Sequence, residues 1–426
     1  MKKQSVILKG NICYSEDKQH IATAEHGYLV CEDGICRGVF ADIPSEWHHL
    51  PVEDWGDCLI VPGLTDLHVH APQYAFRGIG MDRQLLEWLD TYTFPEEAKY
   101  ADPEYAQRAY EIFVRDLARN ATTRACIFAT IHVPATERLM QLLEQTGMVT
   151  YVGKVNMDRN SPDSLTEVSA EMSERDTVRW LDACREMQRT HPMLTPRFVP
   201  SCTDELMQRL GELQKRCGLR VQSHLSENRD EIAWVRQLNP KASCYGDAYR
   251  MFGLLGGDVP TVMAHCVSSE EEEIAMMRDN QVYIAHCPQS NENLTSGIAP
   301  VRRYLDMDMR VGLGTDIAAG SSLSIFRAMA DAVQMSKMYC RYVDETARPL
   351  STAEVFYLGT MGGGSFFGKV GSFLPGYTFD AVVMDDSAIV SPMQLNVRQR
   401  LERMLYLSEQ CTVRKKYSAG VEVRQV

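Results

Sequence analysis

Between Leu59 and Leu313, eight short apolar or β-branched runs recur with helix-like segments between most of them. The runs are Leu59-Ile60-Val61, Ala125-Cys126-Ile127-Phe128, Thr150-Tyr151-Val152, Met193-Leu194-Thr195, Arg220-Val221-Gln222, Thr261-Val262-Met263, Val282-Tyr283-Ile284 and Arg310-Val311-Gly312-Leu313. Helix starts fall between them. Asp102-Pro103-Glu104 offers an N-cap aspartate, proline at the first helical position and an acid in the first turn. Ser351 with Glu354, and Ser269 with Glu272, have capping-box spacing. Alternation of β and α at this interval predicts a parallel sheet with crossover helices, and eight units predict a closed (β/α)₈ TIM-type barrel.

The chain ends differ from this middle. Val6-Ile7-Leu8 and Tyr28-Leu29-Val30 open it, and Ala381-Val382-Val383-Met384, Thr412-Val413-Arg414 and Val421-Glu422-Val423 close it, all with strand character. We expect both ends to pair into one small β-sandwich, giving a division into 1–62 and 371–426 for the sandwich and 63–370 for the barrel. The 426 residues suffice for both, and 45% apolar with 24% charged content is ordinary for a globular protein. A net charge of −13 speaks against nucleic acid or an anionic membrane as partner. The 13 cysteines are odd in number and contain no CxxC pair, so reduced thiols in the cytoplasm are expected. The apolar run in Met1–Gly10 is broken by Lys9 and is too short for a signal h-region, and no stretch reaches the apolar length of a membrane span.

Five of the predicted strands end in groups that bind metals. His68-Val69-His70 follows the first, and residues i and i+2 of a strand share a face, so both imidazoles can point into the barrel mouth. His224, His265, His286 and Asp316 end four later runs. One strand-terminal histidine is commonly structural; this many in register with strand ends, where barrel enzymes place their sites, predict a metal site. A donor set of imidazoles and one carboxylate suits Zn²⁺, with Fe²⁺ as competitor, and such an ion supplies hydroxide at neutral pH. One metal per chain is expected, because the end of the fourth strand, Thr195-Pro196-Arg197-Phe198, lacks a bridging lysine or acid. Lys154, near the third strand end, is read as structural. The H-x-E and P-C-x-x-C signatures of the other zinc deaminase architecture are absent.

These residues lie in longer motifs: Pro62-Gly63-Leu64-Thr65-Asp66-Leu67-His68-Val69-His70-Ala71-Pro72-Gln73-Tyr74, Leu85-Leu86-Glu87-Trp88-Leu89 with Tyr92-Thr93-Phe94-Pro95, Thr195-Pro196-Arg197-Phe198, Ser223-His224-Leu225-Ser226-Glu227-Asn228, Ala285-His286-Cys287-Pro288 and Gly314-Thr315-Asp316. Together they resemble the guanine deaminase family of the amidohydrolase superfamily. The resemblance runs through nearly the whole chain, as far as Phe367-Gly368-Lys369-Val370-Gly371. It implies that His68, His70, His224 and Asp316 bind the metal and that Gln73, Arg197 and Phe198 contact a purine. It further implies that Glu227 shuttles protons, that His265 sits beside the hydrolytic water, and that Trp88 and Leu89 line the pocket; Asp316 can also take a proton from the metal-bound water while touching the ion. No role is assigned to His286. Ser268, Ser269, Gln289 and Ala319 depart from the family pattern.

The implied reaction is hydrolytic deamination of guanine to xanthine and ammonia, in a homodimer. The same chemistry on a related aminated heterocycle, a pterin, triazine or oxidised purine, remains a rival, because one barrel hosts many substrates by loop changes. Hydrolysis of a cyclic amide and a catalytically idle binding barrel are further alternatives. The missing bridging ligand opposes the first, and the complete set of metal-binding groups opposes the second.

Overall fold

The computed structural model describes residues 3–424. Its centre is a (β/α)₈ barrel, and the chain ends form a small β-sandwich domain against it. The barrel strands fall into two parallel sets of four. Leu64–His70, Thr122–Phe128, Val149–Gly153 and Thr190–Pro192 pair in that order, as do Val221–Leu225, Thr261–His265, Tyr283–His286 and Arg310–Leu313. Leu194 bridges to Val221 on one side of the gap between the sets. On the other, the Asp316 N–H donates to the His68 carbonyl at 2.8 Å, which joins the last strand end to the first. Every residue of Leu64–His70 and Thr122–Phe128 is buried, as expected of parallel strands packed on both faces.

Three expectations need correction. The run Leu59-Ile60-Val61 is not the first barrel strand. It lies in Val52–Pro62, which pairs with Val6–Ser15 and Ala381–Asp385, and the barrel begins after Gly63. The fourth barrel strand is broken: Thr190–Pro192 pairs with the third strand, whereas Thr195–Pro196 pairs with Val155–Asn156. Pro192 and Pro196 have no N–H to continue a ladder. Ser269 and Glu272 form no capping box; the helix Glu271–Asp279 starts from Glu270 without a side-chain cap. The other two starts hold. Asp102 accepts the Glu104 N–H at 2.9 Å, and Ser351 and Glu354 form a reciprocal capping box.

The small domain has the strand order Val421–Glu422, Thr412–Ser418, Ala381–Asp385, Val52–Pro62, Val6–Ser15, Ile21–Glu32, Ile35–Phe40. Side chains of a strand alternate between faces, and here the two faces serve different cores. Ile60, Ala381 and Val383 join the domain's own apolar core with Leu8, Leu29 and Tyr417. Leu59, Val61, Val382 and Met384 turn the other way, into the core shared with the barrel, together with Leu401 and Met404 of the helix Val397–Leu407.

Polar bolts complete the joint. Arg124 at the start of the second barrel strand makes a bidentate pair with Asp380, both bonds 2.7 Å, and both side chains are buried. Lys416 is buried and donates to the carbonyls of Leu117, Asn120 and Thr122 at 3.2, 2.9 and 2.8 Å. Removing one partner of a buried pair strands the other charge. Arg124→Met is therefore expected to lower unfolding stability by ~3–5 kcal/mol in urea titration. A loss below ~1 kcal/mol would be the behaviour of an exposed pair and would remove this bolt from the joint.

Candidate functional site

The C-terminal ends of the barrel strands surround a cavity lined by His70, Gln73, Arg197, His224, Glu227 and Asp316 among others. His68 and His70 leave one face of the first strand, as the i, i+2 spacing requires. Their Nε2 atoms lie 3.2 Å apart, and the Nε2 of His224 is 3.2 Å from that of His70. Asp316 Oδ1 is 3.1 Å from His68 Nε2 and 3.5 Å from His70 Nε2. These separations bring several ring nitrogens and a carboxylate oxygen close to one point. They fit the edges of a tetrahedron, about 3.3 Å for metal–nitrogen bonds of ~2.0–2.1 Å. His68, His70 and Asp316 qualify as one potential metal-binding group, and His68, His224 and His265 as another.

Protonation states suit that use. Burial, then the neighbouring imidazole of His68, holds His70 and His224 well below the ordinary histidine value, so both are neutral. The Nδ1–H of His224 donates to the Arg197 carbonyl at 2.6 Å, which leaves Nε2 as the free lone pair. Burial alone would push the Asp316 carboxyl up, but His68 and then His265 override it and hold it well below the usual range. The cluster is thus a divalent-metal site of neutral imidazoles and an ionised carboxylate, the forms that bind metal.

Asp66 organises this ring from beneath. It is fully buried, and it accepts the N–H of His68 at 3.1 Å, the N–H of Thr315 at 3.1 Å and the hydroxyl of Thr315 at 2.5 Å. One carboxyl so ties the first strand to the segment after the last. Gly314 allows the approach: a Cβ there would sit 2.8 Å from both His68 Cβ and Cys287 Sγ. At the strand ends or just past them the backbone turns left-handed at Ser226, His265 and Asp316, with φ of 47°, 74° and 46°, bending these residues at the mouth.

The other expected residues gather at the same cavity. Glu227 Oε2 is 3.4 Å from His265 Nε2, whose other nitrogen meets Asn291 Oδ1 at 3.0 Å; His265 Nε2 is 3.7 Å from Asp316 Oδ2. Burial pushes the Glu227 carboxyl up to about 7. Gln73, Arg197, Phe198, Trp88 and Leu89 all line the cavity. Trp88 packs on Phe76, and Leu89 opens the π-helical turn Leu89–Thr93. His286 does not join them. It is buried, its Nδ1 has no hydrogen-bond partner among the described residues, and burial takes it down to about 3. Lys154 is buried and pairs with Glu167. Of the departures from pattern, Ala319 lines the cavity and Gln289 accepts the Ser321 N–H at 2.6 Å.

Three residues escaped the sequence. Glu97 is buried and accepts from Gln73 Nε2 at 3.0 Å and from Arg197 Nη1 at 2.5 Å. It stands two residues past the motif that ends at Pro95. Glu231 lines the cavity and accepts the N–H groups of Glu227 and Asn228, at 3.2 and 3.3 Å, in a capping box. The Asn228-x-x-Glu231 spacing was its visible signal. Cys287 can group with His265 and Asp316, and its signal was its place next to His286.

Residues 59–423 match the model of the amidohydrolase family. The guanine deaminase of Dictyostelium discoideum is 38% identical over 382 residues, covering 88% of this chain and 84% of that protein. The guanine deaminase of Escherichia coli K12 is 36% identical over 391 residues, 89% and 86% of the two chains. The chain belongs to the guanine deaminase family of amidohydrolases. Among solved structures, guanine deaminase from C. acetobutylicum, with bound guanine in the active site, superposes with a TM-score of 0.95 at 45% identity over 99% of this chain and 100% of that one. This amidohydrolase is a metal-dependent hydrolase, and the carboxyl of Asp66 is the part of its site most open to test. Asp66→Ala leaves three buried donors unsatisfied, so we expect at least ~3 kcal/mol lost in denaturant unfolding, against ~1 kcal/mol for Thr315→Val, which removes one hydroxyl. Equal losses for the two would mean that Asp66 acts through Thr315 alone.

Proposed function

We infer that this chain hydrolyses guanine to xanthine and ammonia, with one metal ion, Zn²⁺ in preference to Fe²⁺, held by His68, His70, His224 and Asp316. The observation that carries this is the pairing, in one cavity, of a metal-binding ring with the Arg197 and Gln73 side chains, which suit the carbonyl-bearing edge of a purine. The guanine held by the C. acetobutylicum relative supports it. When bound, the ion acidifies a coordinated water toward neutral pH.

The chain's own residues divide the proton work. Asp316, kept ionised by its histidines, takes one proton from the attacking water as the oxygen bonds to C2. Glu227, partly protonated near neutral pH, gives its proton to N3 as the ring loses aromaticity. The amino group then takes the proton from Asp316, the C2–N bond breaks and ammonia leaves. The hydroxyl on C2 returns a proton to Glu227, and xanthine remains. His265, between the two carboxylates, orients the water. Arg197 donates to O6, Gln73 reads the same end of the base, and Phe198, Trp88 and Leu89 pack against the ring. Guanine is neutral, so the net charge of −13 neither draws nor repels it.

The cut between residues 62 and 63 is supported by Val52–Pro62 pairing in the small sheet while Leu64–His70 pairs in the barrel. The cut between 370 and 371 belongs to the same proposal. So does residence in the cytoplasm, which 13 free thiols support; no helix among the described residues is long and apolar enough to cross a membrane.

Three outcomes are expected. Ammonia is released from guanine, and none is measurable from adenine or cytosine, since adenine carries no amino group at C2 and opposes a donor to Arg197. Faster release from a pterin, triazine or oxidised purine would move the substrate to that class. Glu227→Gln keeps about one metal per chain by elemental analysis but loses at least ~10² in kcat; near-normal turnover would take Glu227 out of the mechanism. Light scattering at micromolar concentration gives a two-fold homodimer, the commonest closed assembly, unaffected by reductant; a monomer mass would refute it.

A further inference from the structure

Glu97 is buried at the end of the short segment Phe94–Glu97, and its two oxygens serve two different partners. Oε2 holds Arg197 and Oε1 holds the amide nitrogen of Gln73. The carbonyl oxygen of Gln73 is occupied as well, by the Ala318 N–H at 3.2 Å. That contact fixes which way the amide faces. With its oxygen committed to a backbone donor and one amide hydrogen committed to Glu97, Gln73 has the second amide hydrogen left for a ligand. Arg197 has donors only, and the same segment that carries Glu97 sets the Phe94 ring 5.3 Å from the guanidinium. The backbone N–H of Arg197 is tied to Asn156 at 3.1 Å, so the side chain is constrained from both ends.

Two consequences follow from a carboxylate in this place. It turns two mobile polar side chains into a fixed donor-only edge. It also neutralises the guanidinium, so that this end of the cavity offers hydrogen bonds without net positive charge. Such an edge suits a neutral carbonyl oxygen. It disfavours a ring hydrogen or an amino group at that position, because the buried donors would then go unpaired.

We infer that Glu97 is a specificity-determining positioning residue, which locks Arg197 and Gln73 into a donor pair that selects purines carrying a carbonyl at C6. The inference rests on the guanine reading of the site. Glu97 touches neither the metal-binding groups nor the attacked carbon in that reading; it acts through its two partners.

2-Aminopurine tests this, since it keeps the amino group at C2 and lacks the oxygen at C6. For the wild-type enzyme the kcat/KM ratio of guanine to 2-aminopurine should be large. Glu97→Gln puts an amide donor against Arg197 or Gln73 and frees the pair. The ratio should fall by at least ~10-fold, mainly through a raised KM for guanine, with metal content unchanged. In an Arg197→Met/Gln73→Leu background the same substitution should leave the ratio within about two-fold, because both residues it acts through are already gone. Equal losses on both substrates, or a further ~10-fold fall in that double background, would overturn the inference and leave Glu97 a merely structural acid. If Glu97→Gln does not fold, Glu97→Asp, which keeps the charge but cannot span both partners, replaces it with the same readout. Wild-type protein inert toward guanine but active on another amine would overturn the functional reading, and this inference with it.

Discussion

Closure of the barrel is the constraint on which the rest depends. The groups that could hold a metal come from the first, fifth and eighth strand ends, and His68, His70 and Asp316 are neighbours only because the eighth strand meets the first. Asp66 makes that meeting specific. Its carboxyl takes donors from His68 and from Thr315, on either side of the seam, while Gly314 leaves the room for them to approach. Strand twist and tilt bring the seam together in any barrel of this type. These contacts set its register, and the register decides whether two imidazoles and a carboxylate share one centre.

Burial then gives chemically similar groups different tasks. Asp316 and Glu227 are both carboxylates enclosed near the same imidazoles. Asp316 lies against His68 and stays ionised, whereas Glu227 stands farther off, beside Ser296 and Glu231, and rises to about 7. Two acids with separated proton affinities suit one to accept and the other to donate. The Arg197–Glu97 pair follows the same logic in reverse, since its charges cancel and leave directed hydrogen bonds.

Local pattern carried much of this into the sequence. The alternation of runs, the i, i+2 histidines and the Gly-Thr-Asp turn after the eighth strand are short-range signals, and the barrel and its small domain were legible from them, whereas Gln73, Arg197, Phe198, Glu227, Trp88 and Leu89 were expected only through the family resemblance. The failures share a cause. Leu59–Val61 is as apolar as a barrel strand, and only its partners, Val6–Ser15 and Ala381–Asp385, assign it to the other sheet. Ser269 has capping spacing, but the helix starts after Glu270. Glu97 reaches Arg197 across 100 positions in the chain, a contact that no periodicity encodes. Glu231 is the exception, since its capping spacing was present and its second position, on the cavity wall, was not.

The C-terminal segment grips the barrel where the strands begin. Lys416 holds the carbonyls around Thr122, Ser418 bonds to Thr123 and Val149, and Arg189 reaches back to Ser418, all at the end opposite the histidines. This part of what keeps the molecule folded is thus spatially separate from what chooses and transforms its ligand, although the Asp66 seam is not. A lineage with this layout can accumulate mutations in the mouth loops while the foundation stays intact. New substrates are then open to it by small inherited steps, none of which requires passing through an unfolded ancestor.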